Sequence, residues 1–183
     1  MSSPRQIYSF IKNYFNQKNI IKRKNFKALV TTGPTREYID PVRYISNESS
    51  GKQGYEIAEA LSRLGIETTL ITGPTNLVSN KDVKTKKIIT ASEMFEIVKK
   101  SLPVDIAVCA AAVTDFKPVY KSKSKLKKDN LRLKSFELQK NIDILEFLGK
   151  NNKHRPKIVI GFAAETENLD KNALSKLKQK NCD

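Results

Sequence analysis

Four stretches of the sequence set small, basic or acidic residues where they could bind and activate a phosphate-bearing ligand. The first is Ser46-Asn47-Glu48-Ser49-Ser50-Gly51-Lys52-Gln53-Gly54. Small residues and unpaired backbone N–H groups at a helix entrance favour an anion, because the free donors and the helix dipole both point at it. The stretch is neither a G-x-x-x-x-G-K-[ST] phosphate loop nor a G-x-G-x-x-G dinucleotide fingerprint, and an ordinary capped helix start explains the same residues. The second, Ala110-Ala111-Ala112-Val113-Thr114-Asp115-Phe116, puts small side chains at a strand end. A flat base or ribose could lie there with Asp115 at its edge, or the alanines could serve close core packing. The third, Lys125-Leu126-Lys127-Lys128, crowds charges that repel one another. They suit the developing charge of a triphosphate or pyrophosphate, or they form a solvated run. The fourth, Gly161-Phe162-Ala163-Ala164-Glu165-Thr166, precedes Lys176 and Lys180, four apart on one helix face. Phe162 could stack on a base or complete the core, and the lysines could meet phosphate or water.

Charge and composition narrow the chemistry. The net charge of +15 points to an anionic partner, and nucleic acid, acidic lipid and polyphosphate nucleotide all qualify. Nine basic residues lie between Lys117 and Lys140 against only Asp129 and Glu137. A nucleic-acid module is disfavoured, since only Phe116, Tyr120 and Phe136 interleave that run and stacking platforms are scarce. With His154 as the sole histidine, paired-histidine metal sites and histidine-based triads are excluded. Cys109 and Cys182 are too few for a disulfide framework and read as reduced thiols. No apolar run reaches a membrane span and no secretory signal opens the chain, which reads as cytoplasmic.

The elements that must position these stretches alternate. Ile7, Phe10, Ile11, Tyr14 and Phe15 make one sticky helical face with no obvious partner, followed by a polar linker from Asn16 to Asn25. A strand opens at Phe26 to Val30. Then come a helix carrying Ile57, Ala58, Leu61 and Leu64 and closed by Gly65, a strand at Thr68 to Thr72, a short strand marked by Ile88 and Ile89, and a helix from Ser92. Val104 to Val113 reads as one strand buried on both faces. After the Lys-rich insertion, a helix near Ile142 to Leu148, a strand at Lys157 to Phe162 and a helix near Leu169 to Lys180 complete the pattern. This order predicts an α/β, Rossmann-like, doubly wound and mainly parallel sheet with a Lys-rich flap. Ligands of such sheets bind beyond the C-terminal strand ends, so the informative residues should be Thr32-Gly33-Pro34, Gly73-Pro74, Ala112 to Asp115 and Gly161 to Thr166.

In register, V-T-x-G-P-T, V-R-Y-I-S-N-x-S-S-G-K-x-G, A-A-V-x-D-F, K-L-K-K, N-x-D-I-L, G-F-A-A-E-T and K-L-x-x-K-x-x-D resemble the phosphopantothenate-cysteine ligase domain of bacterial bifunctional coenzyme A biosynthesis proteins, from about Lys27 to Asp183. The resemblance implies a ligase that joins 4'-phosphopantothenate to cysteine through an acyl-cytidylate, consuming CTP and releasing pyrophosphate and CMP. It gives catalytic roles to Asn47 and Lys125. It lines the CTP site with Cys109, Ala110, Ala111, Asp115, Ile142, Asp143, Ile144, Leu145, Phe162, Lys176 and Lys180. Magnesium would accompany the triphosphate, with Asp115 the nearest carboxylate. Residues 1–25 resemble the last helix and linker of the flavin-dependent decarboxylase domain that precedes the ligase, so FMN would belong only to that absent domain, and 26–183 would be the CTP-binding ligase domain. The family is homodimeric and continues beyond the aspartate matching Asp183, so the sheet is expected to be incomplete at its C-terminal edge. An inactive or split-gene fragment, complemented by a downstream chain, is one alternative reading. A second is an NAD(P)-dependent oxidoreductase on the same fold, disfavoured by the missing glycine spacing after the first strand.

Overall fold

The computed structural model describes residues 3–17, 26–127, 135–151, 153–164 and 167–183. In chain order the elements are α1 (Pro4–Gln17), β1 (Lys27–Thr32), β2 (Arg36–Tyr38), β3 (Tyr44–Ser46), α2 (Lys52–Arg63), β4 (Glu67–Thr72), β5 (Lys84–Lys87), α3 (Ala91–Ser101), β6 (Ile106–Cys109), β7 (Phe116–Pro118), β8 (Leu138–Lys140), α4 (Ile144–Lys150), β9 (Ile158–Gly161) and α5 (Leu169–Lys180). Five strands pair in parallel in the order β5-β4-β1-β6-β9. The order reverses between β1 and β6, the switch point of a doubly wound sheet. Two antiparallel arms, β2–β3 and β7–β8, leave the sheet beyond β1 and β6 and touch one another through β2 and β7.

Strand alternation divides the core. Ala28, Val30, Leu70, Ile106, Val108 and Ile158 join one buried cluster with Tyr55, Ile57, Ala58 and Leu61 of α2. Their neighbours Leu29, Ile71, Ala107 and Val159 join the other with Met94 and Val98 of α3 and Leu148 of α4. Successive residues of a strand point to opposite faces, so a strand buried on both sides feeds two helical layers. At the edge, β5 is Lys84-Thr85-Lys86-Lys87, a lysine-rich sequence that discourages further pairing.

Several expectations shift. Ile88 and Ile89 sit just past β5; Ile88 is buried and donates its N–H to the Thr72 carbonyl, so the apolar pair marks the strand's exit. The apolar run from Val104 to Val113 holds a strand of only Ile106–Cys109, and from Ala110 the chain leaves the sheet edge. α3 starts at Ala91, because Thr90 accepts the Glu93 N–H while the Glu93 carboxylate accepts that of Thr90, a capping box. The helix near Ile142 begins at Ile144, with Asp143 as its cap. Most consequentially, α1 has a partner. It packs beside α2 and buries Ile7 and Ile11 in the α2-side cluster, which stabilises by about 1.5–3 kcal/mol per side chain. Phe15 and the linker after Gln17 lie outside the described side chains. Among the described residues no helix is long and apolar enough to cross a membrane.

Candidate functional site

Past their paired segments, the chains leaving β1 and β6 stay bonded across the switch point. Ala110 N–H donates to the Thr31 carbonyl at 3.0 Å, Ala112 N–H to Gly33 at 2.9 Å, and Thr35 N–H to Ala112 at 3.3 Å. Thr114 N–H donates to the Thr35 hydroxyl at 3.2 Å, and both threonines are buried. Two close approaches let α2 and β4 crowd this floor: a Cβ at Gly54 would overlap Thr32, and one at Gly73 would overlap the Pro34 carbonyl. Gly51, left-handed at φ 76°, starts α2 with no side-chain cap, and its carbonyl accepts the Thr32 hydroxyl at 2.7 Å. The first stretch is thus a helix entrance seated on the end of β1, as its sequence indicated.

Of the other expected residues some bond to this floor and others lie elsewhere. Asn47, exposed after β3, donates its side-chain amide to the Val113 carbonyl at 3.2 Å, which joins the first stretch to the second. Asn141 N–H donates to the Asp115 carbonyl at 2.8 Å, and its side-chain amide donates to the Thr114 carbonyl at 2.8 Å, bringing in the start of α4. Asp143 caps α4 through the Glu146 N–H and pairs with Lys180 of α5 at 2.7 Å. Burial pushes the Asp143 carboxyl upward, but the hydrogen bonds from Lys180 and the Glu146 and Leu145 amides hold it below its usual range. Burial pushes the Cys109 thiol up to about 12, outweighing a hydrogen bond to the Thr31 side chain, so the thiol stays protonated at neutral pH. Leu145, Phe162, Lys176 and Lys180 line one cavity of about 530 Å³ between α1, β9 and α5. Ile142 and Asp115 are exposed, whereas Ile144 is buried core.

Lys125 stands apart from these contacts. It is exposed, and its neighbour Leu126 is buried and bonded to the loop between β2 and β3. Lys128, Glu165 and Thr166 lie outside the described residues. Sequence reasoning included Thr35, Thr114 and Asn141 in its motifs without giving them a role, and it missed Asp40. Asp40-Pro41 is a local turn signal, but nothing near it in sequence marks Leu126 as its partner. Among the described residues no three His, Cys, Asp or Glu side chains converge as a metal cage. Magnesium held mostly by nucleotide phosphates needs only one or two carboxylates, and the exposed Asp115 would be available as one.

A five-stranded parallel sheet with helices on both faces and a switch point between β1 and β6 defines an α/β protein of the Rossmann-like, doubly wound type. The chain belongs to the family described as DNA/pantothenate metabolism flavoprotein C-terminal domain, whose profile matches residues 23–183. It is 42% identical over its whole length to the coenzyme A biosynthesis bifunctional protein CoaBC of Haemophilus influenzae and 45% identical over 97% of its length to that of Borreliella burgdorferi. It covers 45% of each, so the chain spans a little under half the length of these curated relatives. The solved C-terminal domain of a CoaBC protein superposes with a TM-score of 0.74 at 41% identity, over 87% of this chain and 74% of that one.

Proposed function

We propose that this chain carries the ligase activity of coenzyme A biosynthesis, joining 4'-phosphopantothenate to cysteine at the expense of CTP. A carboxylate oxygen attacks the α-phosphorus, an O–P bond forms, and pyrophosphate leaves. The cysteine amine then attacks the acyl carbon and loses its proton, and the bond to CMP breaks. Ala110 to Ala112 supply a flat backbone floor for the nucleoside, with Asp115 at its edge. Asn47 orients the acyl group, and Lys125 faces the phosphate charge that develops as pyrophosphate departs. Lys180 reaches phosphate by sharing or leaving Asp143, and Lys176 extends the same basic rim. Asp115 would help to hold magnesium at the triphosphate, where the ion would supply charge neutralisation. The exposed apolar side chains of the two arms, Val42, Tyr44, Val119, Tyr120 and Leu138, are where a homodimer would close.

The observation that carries the reading is the bond from Asn47 to Val113, which brings two distant motifs to one crevice at the switch point. Calorimetry with CTP and magnesium tests it, followed by CMP release with and without cysteine. Lys125→Gln is expected to lower turnover about 10²–10³-fold. Absence of CTP binding at millimolar concentration would remove the proposed activity.

A further inference from the structure

The Lys-rich insertion begins with a strict alternation, Lys121-Ser122-Lys123-Ser124-Lys125-Leu126-Lys127. Its odd positions are all exposed lysines, while Ser122 and Leu126 are buried. The chain bends at Lys123 and Ser124, so Ser122 and Leu126 are the two anchored positions and the four lysines around them are turned to solvent. The anchor is the loop between β2 and β3. Ser122 N–H donates to the Ile39 carbonyl at 2.9 Å, and Leu126 N–H donates to Asp40 Oδ2 at 3.2 Å. Asp40 Oδ1 accepts the Val42 and Arg43 N–H groups at 2.8 Å each, and Arg43 Nη2 donates to the Leu126 carbonyl at 2.8 Å.

The Asp40 carboxylate is fully buried, a costly state for a charge unless it is compensated. Burial raises its pKa, but three backbone N–H groups and Arg43 together hold the carboxyl below its ordinary value, so it is ionised at neutral pH. Two of those donors are local and would form a turn by themselves. The third comes from a residue 86 positions away. β3 then carries the chain from Arg43 to Asn47, roughly 13 Å at extended-strand rise.

We propose that Asp40 is a positioning residue: its buried carboxylate grips the backbone of Leu126 and so fixes where Lys125 is presented, beside the arm that carries Asn47. This rests on the reading of Lys125 as the phosphate-facing lysine, and it adds that the basic flap is clipped at its base to that arm. Arg43 closes the clip from the other side through the Leu126 carbonyl.

The test uses the full chain, CTP with magnesium as probe, and two readouts. Amide exchange followed by NMR reports the clip itself: Leu126 N–H is protected in the parent and exchanges at least tenfold faster in Asp40→Asn, while amides of β1 and β6 are unchanged. Calorimetry reports the consequence: Asp40→Asn and Lys125→Gln each weaken CTP about tenfold or more, as loss of a hydrogen bond to a charged group implies. The double variant is no weaker than Lys125→Gln alone, because Asp40 acts through Lys125. A merely structural role would weaken CTP equally in both backgrounds, and that additive result overturns the proposal. If Asp40→Asn does not fold, Leu126→Pro removes the distant donor and leaves the 40–43 turn intact, with the same non-additivity expected. Loss of affinity in Lys125→Gln without loss in Asp40→Asn or Leu126→Pro sinks the clip and leaves the functional reading standing. An unchanged affinity in Lys125→Gln sinks the role of Lys125 and the clip's purpose with it, even if Leu126 proves protected.

Discussion

Cys109 shows how position at a strand end decides chemistry. The thiol sits where β6 leaves the sheet, and burial pushes it up to about 12 against an ordinary 9.0. At pH 8 the thiolate is then scarcer by about 10³, so Cys109 is a small neutral group at this strand end and no nucleophile. Iodoacetamide labelling followed by peptide mass analysis should find Cys109 about 10³-fold slower than a free thiol, and comparable to one after unfolding in guanidinium. Fast labelling in the native protein would contradict the burial. Motifs in the sequence pointed to Asn47, Cys109 to Asp115, and Ile142 to Leu145 around one crevice, and the bonds of Asn47 and Asn141 join these segments. Asp40, Thr35 and Thr114 were not legible, because their roles come from partners 79 or 86 positions away. Local pattern carries no trace of such pairings.

At the scale of elements, period and caps gave the order of the five sheet strands and the helices but not the short antiparallel arms β2–β3 and β7–β8, and lengths went astray where apolar residues continue past a sheet edge. Val104 to Val113 is apolar except for Asp105, yet only Ile106–Cys109 pairs as a strand, since the residues beyond bond to the chain leaving β1. The helical spacing of α1 was plain, but its partner was not, because a sticky face does not say what it sticks to. Ile11 is 1% exposed within the α2-side cluster. Truncating it to alanine should cost about 2–5 kcal/mol by transfer and cavity together, read as a lower urea midpoint with unchanged slope. The exposed Phe10, one residue earlier, serves as the control: its replacement by alanine should stay within about 0.5 kcal/mol. Equal effects at both positions would mean that α1 is not docked as described.

Across the whole molecule, two carboxylates tie distant segments together: the buried Asp40 links the arms, and the exposed Asp143 links α4 to α5. Both carboxyls are held below their ordinary value of 3.8. An acid with a depressed folded pKa binds its proton more readily in the unfolded chain. Its stabilisation is therefore complete above the unfolded value and is lost as pH falls through the folded one. The remaining acids protonate over the same range, so a chain already at +15 becomes still more positive and repels itself. Urea midpoints should stay nearly level from pH 8 to about 5 and fall steeply below about 4. Added salt should relieve the self-repulsion and weaken the exposed Lys180–Asp143 link but not the buried Asp40 link, because screening acts on exposed charges far more than on buried ones. Asp40→Asn and Asp143→Asn should each start less stable at pH 7 and lose less on acidification, their curves converging with the parent near pH 3. Parallel curves with a constant offset would mean that these carboxylates hold their partners in neutral form as firmly as in charged form, and the electrostatic account of both links would fail.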